Sequence, residues 1–258
     1  MRVTRCFIPV PLSAGSVIAL PQATALHIRR VLRLRAGADL TLFDGRGGEH
    51  PATLLAGSEP LRAQVGAHRA IEREAPLPVT LLQGLARGER MDWIVQKTTE
   101  LGVAVIAPVA SRYSVVQLED GAAARRLAHW RSVAVGACEQ CGRNRLPSIQ
   151  ALRELPDACA EVDAPLRLLL APEAGTPLAG LLEQARDRHV ASATGLRVAL
   201  LVGPEGGLAE EEIELACRSG FSPCSLGPRT LRTETAPLAA LATIQTLAGD
   251  FGAAIGLR

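Results

Sequence analysis

From residue 79 onward the chain alternates short, unbroken apolar runs with longer stretches of helical spacing, and this alternation limits the fold more than any other feature. The runs at 79–85, 103–109, 166–171, 197–202 and 222–226 read as strands. Helical spacing fills 91–101, 122–141, 178–189, 209–219 and about 235–248, with Gly102 at the C-terminal end of the first. In the helix over 122–141, one face carries Leu127, Trp130, Ala134, Ala137, Cys138 and Cys141. Strands that are apolar throughout, rather than every second residue, belong in a parallel sheet covered on both faces. The expected fold is therefore α/β over residues 73–258.

Residues 1–72 follow another pattern. Apolar stretches at 3–10, 39–43 and 52–56 are punctuated by Gly and Pro, and Asp44-Gly45-Arg46-Gly47-Gly48 is a hairpin signal. A helical stretch at 24–34 sets His27, Arg29, Arg30, Arg33 and Arg35 beside Ile28, Val31, Leu32 and Leu34. The polar, Pro-containing segment 72–78 reads as a linker. Charge divides along the same line. Residues 1–72 hold nine Arg and five acids, a net +4, whereas the remainder is at −2. A basic first domain suggests contact with a polyanion, with Arg5, Arg29, Arg30, Arg33 and Arg35 as candidates, although scattered charge on a solvated surface reads at least as well from charge alone.

Several classes are disfavoured. No apolar run reaches the roughly 18 residues of a membrane span, and residues 1–10 carry no long apolar leader core. A soluble, cytoplasmic protein with no membrane partner is expected. The six Cys are then expected reduced. Cys138 and Cys141 form C-x-x-C, but no second pair at similar spacing completes a zinc site, and the pair falls late in a helical pattern rather than at a helix start. No metal is expected.

In an open parallel sheet, ligands sit at the carboxyl ends of strands, and two such ends here are unusual. The first is Leu200-Leu201-Val202-Gly203-Pro204-Glu205-Gly206-Gly207, a tight turn that lets backbone approach a ligand closely. The following helix opens with Glu210, Glu211 and Glu212, which would repel a phosphate, so a neutral or cationic ligand such as a sulfonium fits better. The lysine and hydroxyl residue of a P-loop and the spacing of G-x-G-x-x-G are both missing. The second end is 225–237, where Thr233 or Thr235 is placed to cap the last helix and Pro237 falls in its first turn.

Together, Gly203-Pro204-Glu205-Gly206-Gly207 and Leu226-Gly227-Pro228-Arg229-Thr230-Leu231-Arg232-Thr233-Glu234-Thr235-Ala236 resemble the ribosomal RNA small subunit methyltransferase E family. The stretches 27–34, 42–45, 96–103 and 137–147 agree in order, so the resemblance covers nearly the whole chain. It implies an N-terminal PUA-like β-barrel over 1–72, and over 73–258 a SPOUT methyltransferase domain with a deep trefoil knot, which packing rules would not suggest. It implies a homodimer, through the helix over 122–141 or the last helix. It implies S-adenosylmethionine as cofactor, held by loops at 170–173, 201–207 and 226–232: Leu170, Leu201, Gly203, Pro204, Gly206, Gly207, Leu226, Gly227 and Leu231. The implied reaction is methylation of N3 of a uridine in 16S ribosomal RNA, free or in the small ribosomal subunit. Arg232 is expected to stabilise the N3 anion. Glu234 is expected to orient Arg232 or take the proton, with Glu205 as an alternative base. Alternatives from other classes are a knotted methyltransferase of tRNA or of a ribose 2′-OH, and a non-catalytic RNA-binding factor of ribosome assembly.

Overall fold

The computed structural model describes residues 3–57, 59–114, 120–189 and 195–252. Met1 and Arg2, at the start of the stretch read for a leader, lie outside them. The chain forms two units, one of residues 1–74 with 135–146 and one of 75–134 with 147–258.

The first unit contains β1 (Thr4–Phe7), β2 (Val17–Ala19), α1 (Gln22–Leu26), β3 (Asp39–Phe43), β4 (His50–Leu54) and β5 (Arg62–Val65), in the sheet order β1-β3-β4-β5-β2. β1 runs parallel to β3 and the other pairs are antiparallel. The Asp44 turn joins β3 to β4, its carboxylate accepting from the Arg46 and Leu12 N–H groups at 3.1 Å each. Strand alternation is visible in β3, where Leu40 and Leu42 are buried and Thr41 is half-buried.

The helix expected at 24–34 is different in kind. α1 ends at Leu26 and the chain continues as π-helix over His27–Leu32, stopped by Arg33 in the left-handed region at φ 51°. The wider turn changes which residues face inward. Ile28 is fully buried, while Val31 stays 65% exposed and Leu32 is exposed too, although helical spacing groups them with Ile28.

Residues 135–146 enter this unit through buried polar contacts. Asn144 Oδ1 accepts from Arg5 Nη2 at 2.6 Å, and its amide donates to the Ile71 carbonyl at 2.5 Å. Arg143 pairs with Glu74 at 2.7 Å, and Arg73 reaches Glu49 at 3.3 Å and the Gly142 carbonyl at 3.0 Å. Burial pushes the Glu49 carboxyl up, but its bonds to Arg5 and Arg73 outweigh this and hold it below the usual range. Cys138 is buried, and its hydrogen bond with Cys141, together with burial, pushes its thiol far up, away from the reactive thiolate.

The second unit contains β6 (Val79–Gly84), α2 (Glu89–Glu100), β7 (Val105–Ala110), the first part of α3 (Asp120–Cys141), β8 (Ser148–Ile149), β9 (Arg153–Glu154), α4 (Leu155–Glu161), β10 (Leu166–Leu170), α5 (Leu178–His189), β11 (Val198–Val202), α6 (Glu210–Arg218), β12 (Ser222–Cys224) and α7 (Ala236–Ala248). The strands pair in parallel in the order β12-β10-β11-β6-β7-β8, with β9 also on β7. Successive β11 residues point to opposite faces. Val198, Leu200 and Val202 enter a core with α2, α3, α5 and α7, whereas Ala199 and Leu201 enter a second core with α4 and α6. Each fully buried Leu or Val contributes roughly 1.5–3 kcal/mol. The sheet is therefore covered on both faces, as its unalternating strands require. No helix among the described residues is long and apolar enough to cross a membrane.

Candidate functional site

Because β10, β11 and β12 are parallel, their carboxyl ends at Leu170, Val202 and Cys224 lie along one edge of the sheet. The segments that follow them line a common cavity of about 970 Å³, within the usual size range of a small-molecule site.

The turn after β11 is closed by the Gly207 N–H on the Pro204 carbonyl at 2.9 Å, with Gly207 in the left-handed region at φ 73°. Its backbone lies directly on the end of β6. A Cβ on Gly84 would stand 2.4 Å from the Pro204 nitrogen and 2.8 Å from the Gly203 carbonyl carbon, so only glycine allows that approach. The segment after β12 is tied to this turn through Thr233. Its hydroxyl donates to the Gly203 carbonyl at 2.8 Å and accepts from the Gln83 amide of β6 at 3.2 Å. Thr233 is thus a clamp between two loops and a strand rather than a helix cap. Thr235 makes no side-chain cap bond either; the Arg232 carbonyl receives the N–H groups of Thr235 and Ala236, at 2.9 Å each.

Leu170, Gly203, Pro204, Gly206, Gly207, Leu226, Gly227 and Leu231 all line the cavity. Leu201 does not. It falls on the alternate register of β11 and is fully buried against α4 and α6, on the far face of the sheet.

The three candidate catalytic side chains also border the cavity. Glu205 accepts from the Arg87 N–H at 3.0 Å and from Arg90 Nη1 at 2.7 Å. Burial pushes the Glu205 carboxyl up, but these two bonds prevail and hold it below the usual carboxylate range. Glu234 lies 3.8 Å from Arg90 Nε. Glu234 therefore faces Arg90 and forms no ion pair with Arg232 among the described residues. The Arg232 side chain is exposed at the rim, with no hydrogen-bond or ion-pair partner among the described residues.

Arg90, in the first turn of α2, joins the two carboxylates and was not singled out in the sequence. Gly84 and Gln83 were missed too. The available signal was a strand ending in Gln83-Gly84 and followed by Arg87 and Arg90 at the same carboxyl edge of a parallel sheet.

In the first unit, Arg29, Arg30, Arg33 and Arg35 are exposed on and just beyond the π-helix. Arg29 also pairs with Glu59. Arg5 stands apart. Its side chain is only 9% exposed, bound to Glu49 and Asn144, and is committed to the interior of its own unit.

As chemistry, the cavity offers apolar walls from Leu170, Leu226 and Leu231, close backbone from the glycine turn, and two carboxylates bridged by Arg90. Those features suit a flat or apolar ligand. Arg232 at the rim is free to meet an anion. No cluster of His, Cys, Asp and Glu among the described residues is arranged to hold a metal.

A family model described as an RNA methyltransferase domain matches residues 73–245, and one described as an RNA methyltransferase PUA domain matches residues 20–65. The chain is 30% identical to ribosomal RNA small subunit methyltransferase E of Buchnera aphidicola from Schizaphis graminum, over 96% of this chain and 98% of that one. Among solved structures, a methyltransferase from Legionella pneumophila in complex with the cofactor SAM superimposes with a TM-score of 0.88 at 35% identity, covering 97% of this chain and all of that one. A ribosomal RNA small subunit methyltransferase E from Neisseria gonorrhoeae bound to S-adenosyl methionine superimposes with a TM-score of 0.85 at 36% identity, with the same coverage.

Proposed function

Because this chain belongs to the ribosomal RNA small subunit methyltransferase E family, we propose that it transfers a methyl group from S-adenosylmethionine to N3 of a uridine in 16S ribosomal RNA. The observation that carries this reading is the joining of the 203–207 and 226–234 loops around one cavity, with Arg232 at its rim and without a side-chain partner among the described residues. The relatives solved with the cofactor support its identity here, and the glycine turn and leucine walls suit its flat and apolar parts.

When bound, the cofactor supplies an electrophilic methyl group on a sulfonium. The rest falls to the chain's own residues. Gly203, Pro204, Gly206, Gly207, Leu226, Gly227 and Leu231 hold and orient the donor. N3 of neutral uracil carries a proton and is a weak nucleophile, so that proton must leave as the N–CH₃ bond forms and the S–CH₃ bond breaks. Glu234 is the base in this proposal. Glu205 is the poorer choice, since Arg90 and the Arg87 N–H already stabilise its carboxylate and weaken its pull on a proton. Arg232 meets the negative charge spread over O2 and O4. A deep trefoil knot in the second unit, a boundary near residue 72 and homodimerisation through α3 or α7 belong to the same proposal.

The decisive experiment supplies tritiated S-adenosylmethionine with small ribosomal subunits or naked 16S RNA from cells lacking the gene, then digests the RNA for nucleoside mass spectrometry. 3-Methyluridine is the expected product. A ribose-methylated nucleoside would replace the N3 assignment. Transfer to tRNA alone would replace the substrate, and bound cofactor without transfer to any RNA would leave a non-catalytic binder.

RNA contact by the first unit is proposed for Arg29, Arg30, Arg33 and Arg35, leaving out the buried Arg5. Each phosphate contact adds about 0.7–0.9 to the slope of log affinity against log salt. Changing all four to Gln is expected to weaken RNA binding and to flatten that slope by about three. An unchanged slope would remove this surface from the interface.

A further inference from the structure

Beside the cofactor cavity lies a second one of about 570 Å³, lined by Arg87, Arg90, Arg112, Tyr113, Ser114, Glu205 and Gly206. It opens at the carboxyl ends of β6 and β7 and shares Arg90, Glu205 and Gly206 with its neighbour. The two spaces therefore adjoin across the glycine turn.

The lining is built. Residues 111–114 form a closed turn at the end of β7, with the Ser114 N–H on the Ser111 carbonyl at 2.9 Å and the two hydroxyls 3.0 Å apart. The Arg112 N–H is anchored on Glu212 at 2.8 Å. This turn presents Tyr113 with 45% of its surface exposed, and its Cβ lies so close to the glycine turn that a Cβ on Gly206 would approach it to 2.8 Å. Tyr113 is one of three exposed aromatic side chains among the described residues, with Trp93 and Phe251, and it lines this cavity. Charge in the pocket is graded. Arg90 is neutralised by Glu205, Arg112 is loosely held by Glu211 at 3.5 Å and by the Tyr113 ring, whose centroid is 6.0 Å from its guanidinium, and the Arg87 side chain has no partner among the described residues.

A half-exposed aromatic ring with one guanidinium loosely held beside it and a second without a side-chain partner among the described residues is the chemistry that holds a splayed-out nucleotide: the ring stacks on the base and the cations take phosphate. We infer that Tyr113, Arg87 and Arg112 form the subsite for the target nucleotide, next to the cofactor, an inference that rests on the proposed RNA substrate. Tyr113 sets the base against the glycine turn, and Arg87 and Arg112 fix the sugar-phosphate strand on either side.

The test compares Tyr113→Ala, Tyr113→Phe and Arg87→Gln/Arg112→Gln with the wild type. Readouts are binding of unmodified small-subunit RNA, KM for that RNA in methyl transfer, and calorimetric affinity for S-adenosylmethionine. Stacking is worth roughly 1–3 kcal/mol per base, about five- to 150-fold in affinity with tenfold near the lower end. Tyr113→Ala should raise the RNA Kd and KM about tenfold or more, with cofactor affinity within about twofold, because alanine keeps the Cβ that touches Gly206. Tyr113→Phe should restore RNA binding. The double arginine variant should flatten the salt slope by about one to two. Wild-type RNA binding by Tyr113→Ala, or parallel loss of cofactor affinity, would overturn the subsite and make Tyr113 a support for the turn. Should wild-type protein bind RNA yet methylate none, the methyltransferase reading falls, and the subsite is decided on the binding measurements alone.

Discussion

Replacing Arg232 by alanine is expected to lower kcat for methyl transfer by about 10²–10³-fold, the usual cost of removing one preorganised donor from a developing anion. Cofactor affinity should change by less than about threefold. The argument rests on what Arg232 does not do in the free protein. Its carbonyl helps start α7, but its guanidinium has no partner among the described residues. Removing the side chain therefore breaks no side-chain hydrogen bond or ion pair among the described residues, and the backbone carbonyl that receives Thr235 and Ala236 remains. Stability should hardly move, so the loss appears in turnover while Tm and cofactor titration stay near wild type. Arg232→Lys keeps the charge and loses the fork, and should recover part of the rate. Turnover within about threefold of wild type in Arg232→Ala would pass the role to another cation lining the cavity, Arg90 or Arg229.

Gly84→Ala acts on the other side of the reaction. The added methyl would sit 2.4 Å from the Pro204 nitrogen and 2.5 Å from its Cδ, where neither backbone nor ring can swing aside as a flexible side chain would. β6 is held between β11 and β7 in the middle of the sheet, so the turn is the part that yields. Overpacking of this kind costs roughly 1–3 kcal/mol. Because the turn also lines the cavity, the strain should weaken S-adenosylmethionine binding by about 10–100-fold in a calorimetric titration, with only a small loss of Tm. Unchanged affinity would mean that the turn can shift without disturbing the cavity. A large fall in Tm would locate the strain in the sheet instead.

The strand–helix alternation of the second unit was legible because hydrophobic period and length are local properties. β3, α5 and the strand ends at 170 and 202 stand almost where the runs of apolar residues put them. What escaped was set by non-local geometry. β2 and β5 have three and four residues and gain stability only from their neighbours, so no window of sequence announces them. The π-helix at His27–Leu32 shares its residues with an ordinary amphipathic helix, and only the wider turn decides that Ile28 alone goes inward. At the cavity, the glycine turn and the 226–234 segment were legible through composition. The part played by Thr233 was not, since capping and clamping use the same hydroxyl and differ only in which carbonyl lies within reach. Arg90 escaped for a related reason: an arginine in the first turn of a helix looks like a solvated charge until two acids from distant segments arrive beside it. The family resemblance implied Leu201 as a cofactor residue, and the register of β11 sends its side chain to the far core.

Residues 135–146 are encoded in the middle of the second unit and fold with the first. The first unit is therefore no cassette that gene fusion or a protease could lift out in one piece. A first unit lifted out at the polar segment after residue 72 would leave Arg5 and Ile71 without Asn144, and three chain breaks, not one, would be needed to free either unit whole. Descent should accordingly have passed the two units on together, and exchange of the N-terminal half between relatives would succeed only when the short 135–146 segment travels with it.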